Sequence, residues 1–160
     1  MVRRAGTAQR VIVAAPGYIE RHGTPTIPAD LTHHTCIVHD IGPDSDMWTF
    51  VMPEGPRDVR VSGGLLANDV RAVHLAALTG YGIAYLPLVE LFDDLRSGTL
   101  VRILSDFPAP GVPFSLVYPS RRHLAPRTRL VLEFIMSEIR QIQAGYAQRS
   151  IRARNELLSP

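Results

Sequence analysis

Six histidines, at positions 22, 33, 34, 39, 74 and 123, and a lone cysteine, Cys36, are the side chains that could hold a metal or attack a substrate. Neither chemistry follows from their spacing. His33 and His34 are adjacent and point to different sides, His74 falls inside an amphipathic segment, and there is no HExxH run or paired-cysteine spacing. The histidines therefore read as solvated or hydrogen-bonded, with no metal. Cys36 opens an apolar run and reads as a buried, inert thiol. No nucleophile–base set appears, so the sequence predicts no catalytic residue, no cofactor and no enzyme. Gly80 and Gly82 resemble a fragment of a dinucleotide loop, but they follow a helical pattern instead of opening one. Arg121, Arg122, His123, Arg127 and Arg129 form a basic cluster, read as a solvated turn ahead of a helix. Trp48 and Phe50 share one face of a strand and read as core.

The elements that must position these groups fit one core. The chain has 160 residues, 46% hydrophobic and 20% charged, a composition typical of a globular domain. One cysteine excludes a disulfide scaffold, and no apolar stretch approaches the ~20 residues of a membrane span, so a soluble, cytoplasmic protein is expected. All 17 basic residues are arginine. Residues 1–10 carry three of them and no acid, residues 11–120 six against twelve acids, and residues 121–160 eight against three. A chain with an acidic middle would repel phosphates, which predicts no direct DNA binding.

Arg10 to Ala15 (RVIVAA) is almost wholly apolar, like a strand covered on both faces, and Pro16-Gly17 opens a short helix that Gly23 stops. Strands follow at 36–40, 47–52 and 57–62, separated by the turn sequences IGPDSD and PEGP. Asn68-Asp69 offers a cap for a helix ending at Gly80. A buried strand at 83–87 comes next, then a helix with Leu88, Leu91, Phe92 and Leu95 on one stripe and Ser97-Gly98 at its end. Strands at 100–104 and 113–119 precede a last helix from Pro126, with Val131, Phe134, Ile135, Ile139 and Ile142 at three-and-four spacing.

The ordered set of an apolar strand ending in Ala-Pro-Gly-Tyr, a Pro-x-Asp-Leu segment, the LTGYGIAYLP run at 78–87 and Tyr-Pro-Ser-Arg-Arg before a terminal helix resembles the effector-binding region of LysR-type transcriptional regulators. The resemblance covers about residues 10–142. It implies an α/β fold, one lobe (lobe two) of a type 2 periplasmic-binding-protein-like domain, with crossing strands and a C-terminal helix from the other, mostly missing lobe. The boundaries it implies are a disordered leader at 1–9, lobe two at about 16–110, crossing strands at about 10–15 and 113–118, the terminal helix at 126–142, and a basic tail at 146–160. The winged helix and linker helix of the family are expected to be absent.

The function implied is sensing of a small, anionic effector and oligomerisation, without DNA binding by this chain; an alternative is a truncated module that pairs with an intact regulator. The cleft of such a fold opens at the carboxyl ends of strands, where helix N-termini offer free N–H groups. The effector-binding wall is thereby assigned to Ala15, Pro16, His39, Asp40, Asn68, Asp69 and Val70. Asn68 reads equally as a cap and as part of the wall, whereas Asp69 reads as a cap because its charge opposes a carboxylate. In the family the helix 70–79 pairs with another subunit. The terminal-helix stripe, deprived of its sheet, predicts self-association with a second copy or a full-length regulator.

Overall fold

The computed structural model describes residues 2–118 and 125–156. The chain divides into two compact units, residues 9–111 and residues 1–8 with 112–160.

The larger unit is built on a five-stranded sheet. Its strands are β2 (Arg10–Ala14), β3 (Cys36–His39), β6 (Leu65–Ala67), β7 (Ile83–Pro87) and β8 (Val101–Ile103), in the order β6-β3-β7-β2-β8. β3 runs parallel to both β6 and β7, while β2 is antiparallel to β7 and β8. Four strands thus share one direction and β2 opposes them. Alternation along β2 divides its side chains between two cores. Ile12 and Ala14 join Val38, Ile83, Tyr85 and Ile103, and this face is closed by the hairpin β4 (Met47–Met52) and β5 (Gly55–Arg60), which contributes Trp48, Phe50 and Val59. Val11 and Val13 join Ile37, Ala84, Leu86 and Leu91 beneath Val73 and Ala77 of helix α2 (Val70–Leu78). Helix α1 (Pro16–His22) sends Tyr18 into the first core, where its hydroxyl accepts from Thr35 N at 3.0 Å.

Two glycines let backbone segments approach each other beside β3. A Cβ on Gly63 would stand 1.7 Å from the Cys36 carbonyl oxygen, and one on Gly82 would stand 2.5 Å from that of Thr35. Both positions exclude a side chain on steric grounds alone.

The smaller unit pairs β1 (Val2–Ala8) antiparallel with β9 (Val112–Val117), with a register irregularity between Arg4 and Gly6. Helix α4 (Pro126–Glu156) packs against β1, and Ala5 and Met136 are buried.

Several boundaries differ from the sequence reading. The leader expected at 1–9 is strand β1, held by a backbone ladder to a partner far along the chain that local pattern cannot announce. The antiparallel pair in the smaller unit is 2–8 with 112–117, whereas residues 10–14 lie in the five-stranded sheet. The stretch read as one helix from Leu88 splits into a 3-10 turn, Leu88–Glu90, and α3 (Phe92–Ser97), with Leu91 buried between them. Gly98, at φ +77°, ends α3. The tail read from residue 146 is helical as far as Glu156.

Cys36 is fully buried, and burial pushes its thiol up to about 12 from an ordinary 9.0. Because the folded-state value is raised, the neutral thiol favours folding below pH 9, and that contribution is lost as pH climbs towards 12. Between those limits the unfolding free energy should fall by about 1.4 kcal/mol per pH unit from this group. Urea titrations at pH 8, 9 and 10 check it, and the extra slope should vanish in Cys36→Ala.

Candidate functional site

The register of the sheet decides which predicted residues share an edge. His39 pairs with Ala67, Arg10 with Pro87 and Ile12 with Ile103. The carboxyl ends of β3, β6, β7 and β8 therefore line up with the amino end of β2. His39, Asp40, Asn68, Asp69 and Val70 belong to this edge, and the Asp40 amide donates to the Ala67 carbonyl at 2.9 Å. Ala15 and Pro16 do not. They follow the carboxyl end of the opposed strand, so they stand at the other edge, beside Gly80. The expectation that all seven residues line one wall is corrected on this point: β2 runs against its neighbours.

Asp69 caps α2, as read from the sequence, and the cap alternative for Asn68 is corrected: the Asp69 Oδ1 accepts from Arg71 N at 2.8 Å and from Ala72 N at 3.0 Å. The Val73 amide donates to the Asp69 carbonyl at 3.2 Å. The N–H groups proposed for an anionic ligand are thus already satisfied by a carboxylate of the chain itself. Asn68 is exposed. Asp69→Ala should cost about 1 kcal/mol, read from urea unfolding by circular dichroism, while Asn68→Ala should change little.

A shallow depression of about 370 Å³ lies beside Asp40, lined also by Val38, Gly42, Asp44, Ser45, Asp46, Val61, Ser62, Gly63 and Leu66. Arg60 pairs with Asp46 and lies 3.8 Å from Asp44. The hydroxyl of Ser45 accepts from the Ile41 and Gly42 amides at 3.0 and 3.1 Å. The loop satisfies itself, and its three carboxylates oppose an anion.

One cation on this edge is a residue that the sequence reading left out. Arg10, half-buried at the head of β2, lays its guanidinium 3.7 Å from the centroid of the Tyr85 ring and donates from Nη2 to the Tyr85 carbonyl at 2.9 Å. Burial lowers its pKa from the ordinary arginine value, and among the described residues no carboxylate pairs with it. Tyr85 in turn meets Trp48, with ring centroids 5.4 Å apart. A small recess of about 10 Å³ beside Arg10 is lined by Val11, Ile12, Arg102, Ile103, Leu104, Phe107 and Ala109. Leu104 there holds φ +52°, a left-handed conformation unusual for leucine, with its carbonyl accepting from Phe107 N at 3.0 Å. The one signal in sequence was an arginine opening an otherwise apolar strand.

The remaining candidates stand apart. His74 Nε2 meets Asp94 Oδ2 at 2.8 Å, linking α2 to α3. His34 Nδ1 lies 3.2 Å from the Tyr18 hydroxyl, and burial lowers the pKa of this histidine. Among the described residues no three metal-ligating side chains cluster. Trp48 and Phe50 are core, 2% and 0% exposed. Arg121, Arg122 and His123 lie outside the described residues.

The sequence matches the family described as LysR substrate binding domain over residues 2–140. The chain belongs to that family. Among the relatives of this LysR substrate binding domain, the HTH-type transcriptional regulator DmlR of Escherichia coli is 31% identical over 140 residues, which is 84% of this chain and 44% of DmlR. A putative transcriptional regulator of Pseudomonas aeruginosa is 35% identical over 124 residues, 76% of this chain and 40% of that protein. The chain thus spans less than half the length of these relatives. The regulatory domain of AphB from Vibrio vulnificus superposes with a TM-score of 0.68 at 28% identity, covering 86% of this chain and 68% of that one. The fold is that of a LysR-type regulatory domain, type 2 periplasmic-binding-protein-like. Among the described residues no helix is long and apolar enough to cross a membrane.

Proposed function

We propose that this LysR substrate binding domain is the effector-sensing and oligomerisation part of a cytoplasmic transcriptional regulator, and that its effector is a small anionic metabolite held at the carboxyl edge of the five-stranded sheet. The observation that carries this reading is Arg10, a half-buried cation without a carboxylate partner among the described residues, placed where four strand ends converge. Ligand would act by stabilising the domain arrangement it binds better. Amide chemical shifts recorded while small organic anions are added test the location. Saturable shifts should gather at His39, Asn68 and Leu104, and shifts gathered instead around Ala15 and Pro16 would overturn it. The chain itself is expected not to bind operator DNA, and a sequence-specific mobility shift at physiological salt would refute that.

Oligomerisation is supported by α4, which exposes Leu130 (69%), Val131 (55%) and Phe134 (64%). Large apolar groups on one helix face favour a partner that covers them. The same surface supports a second reading, a module that pairs with an intact regulator through α4. Light scattering should find a dimer that Phe134→Glu dissociates, and co-purification with a full-length regulator in preference to a self-dimer would favour the second reading.

A further inference from the structure

Among the described residues, helix α4 is covered along one side and bare along the other. Met136 is buried, and Leu132, Ile135 and Ile139 are half-buried, on the side that packs against β1. The other side carries Arg127, Leu130, Val131, Phe134, Glu138 and Gln141, whose spacing places them on one face of a helix with 3.6 residues per turn. Leu130, Val131 and Phe134, each more than half exposed, form its centre. Arg127 and Glu138 stand at the two ends of that apolar patch, and among the described residues neither has an ion-pair partner.

The order of residues along this face makes it complementary to itself under a two-fold rotation. When two such faces meet antiparallel about a point midway between residues 132 and 133, Arg127 lies level with the partner's Glu138, and Val131 with the partner's Phe134. Pairing in the parallel sense would set Arg127 against the partner's Arg127 and Glu138 against the partner's Glu138, two like-charge contacts. Apolar burial favours contact, and the charges choose its direction.

We infer that two copies of this chain associate through α4 as an antiparallel, two-fold-symmetric pair, with Leu130, Val131 and Phe134 packed at the centre and an Arg127–Glu138 ion pair at each end. This inference rests on the oligomerisation proposed above and supplies its geometry and its partner, a second copy instead of an intact regulator. From Arg127 to Gln141 the face is one helix wide and about 20 Å long. That is less than a standard interface, so the dimer is a weak one that dissociates on dilution.

The test is sedimentation equilibrium of the full chain over a concentration series at one fixed, moderate ionic strength. Wild type should be a reversible dimer. Arg127→Glu and Glu138→Arg should each weaken it about tenfold, because each turns two attractions into two repulsions. The double variant R127E/E138R restores opposite charges at both ends and should return to within about twofold of wild type, a recovery that damage to the helix could not produce. A dimer that Phe134→Glu dissociates but both charge reversals leave unchanged would overturn the antiparallel assignment while leaving association through α4 standing. Weakening by the single variants without recovery in the double variant would overturn it as well. If wild type stays monomeric at every concentration, the inference and the proposed oligomerisation fall together, and the effector edge is untouched.

Discussion

Trp48→Ala is expected to lower the unfolding free energy of the larger unit by about 3–5 kcal/mol. The indole is 2% exposed, sits on Tyr85 with ring centroids 5.4 Å apart, and shares its core with Phe50, Val59 and Ile83. Its removal costs the transfer energy of the largest side chain in that core and also leaves a cavity between hairpin and sheet. The hairpin β4–β5 forms its own two-stranded sheet, so nothing but side-chain packing of this kind and a few backbone bonds holds it to the five-stranded one. Urea unfolding followed by far-ultraviolet circular dichroism checks the value. A loss below about 1 kcal/mol would mean that the hairpin is not packed as described.

Gly63→Ala should cost about 3 kcal/mol, at the top of the range for an overpacked site. The atom in the way is the Cys36 carbonyl oxygen, 1.7 Å from the position of the new Cβ. That carbonyl cannot step aside cheaply, because the Cys36 amide is bonded to the Ser62 carbonyl at 2.9 Å and β3 is laddered to strands on both sides. Gly17→Ala serves as the comparison. A Cβ there meets only the tip of Arg21 at 3.5 Å, an ordinary contact, so the variant should be close to neutral. Equal effects from the two substitutions would contradict the packing around β3.

What could be read from the sequence and what could not divides along physical lines. Residues 47–52 and 83–87 were legible as strands because apolar content and flanking turn residues are local signals, and the structure returns those same bounds. Helix α2 was legible for the same reason, from its period and the glycine at its end. The direction of β2 was not. RVIVAA pairs equally well either way round, and only its neighbours fix the sense in which it runs. Ala15 and Pro16 were placed on the effector wall for want of that one fact. Asn68 and Asp69 are both good caps, and only the backbone, with Asp69 extended at φ −111° and ψ 122°, shows which of them is used. β1 escaped because its backbone bonds go to β9, more than a hundred positions later. Arg10 was visible as a residue type out of place in an apolar run, but its meaning depends on Tyr85, brought alongside by the antiparallel register.

The contact between Trp48 and Tyr85 gives the molecule an optical property. Trp48 is its sole tryptophan, so all indole emission arises two rings away from the guanidinium of Arg10. Any event that shifts the phenol, or alters the field of the charge stacked upon it, will change the colour or intensity of that emission with no other indole to dilute the change. Binding of the proposed effector at the sheet edge should thus be visible in unlabelled protein by light alone.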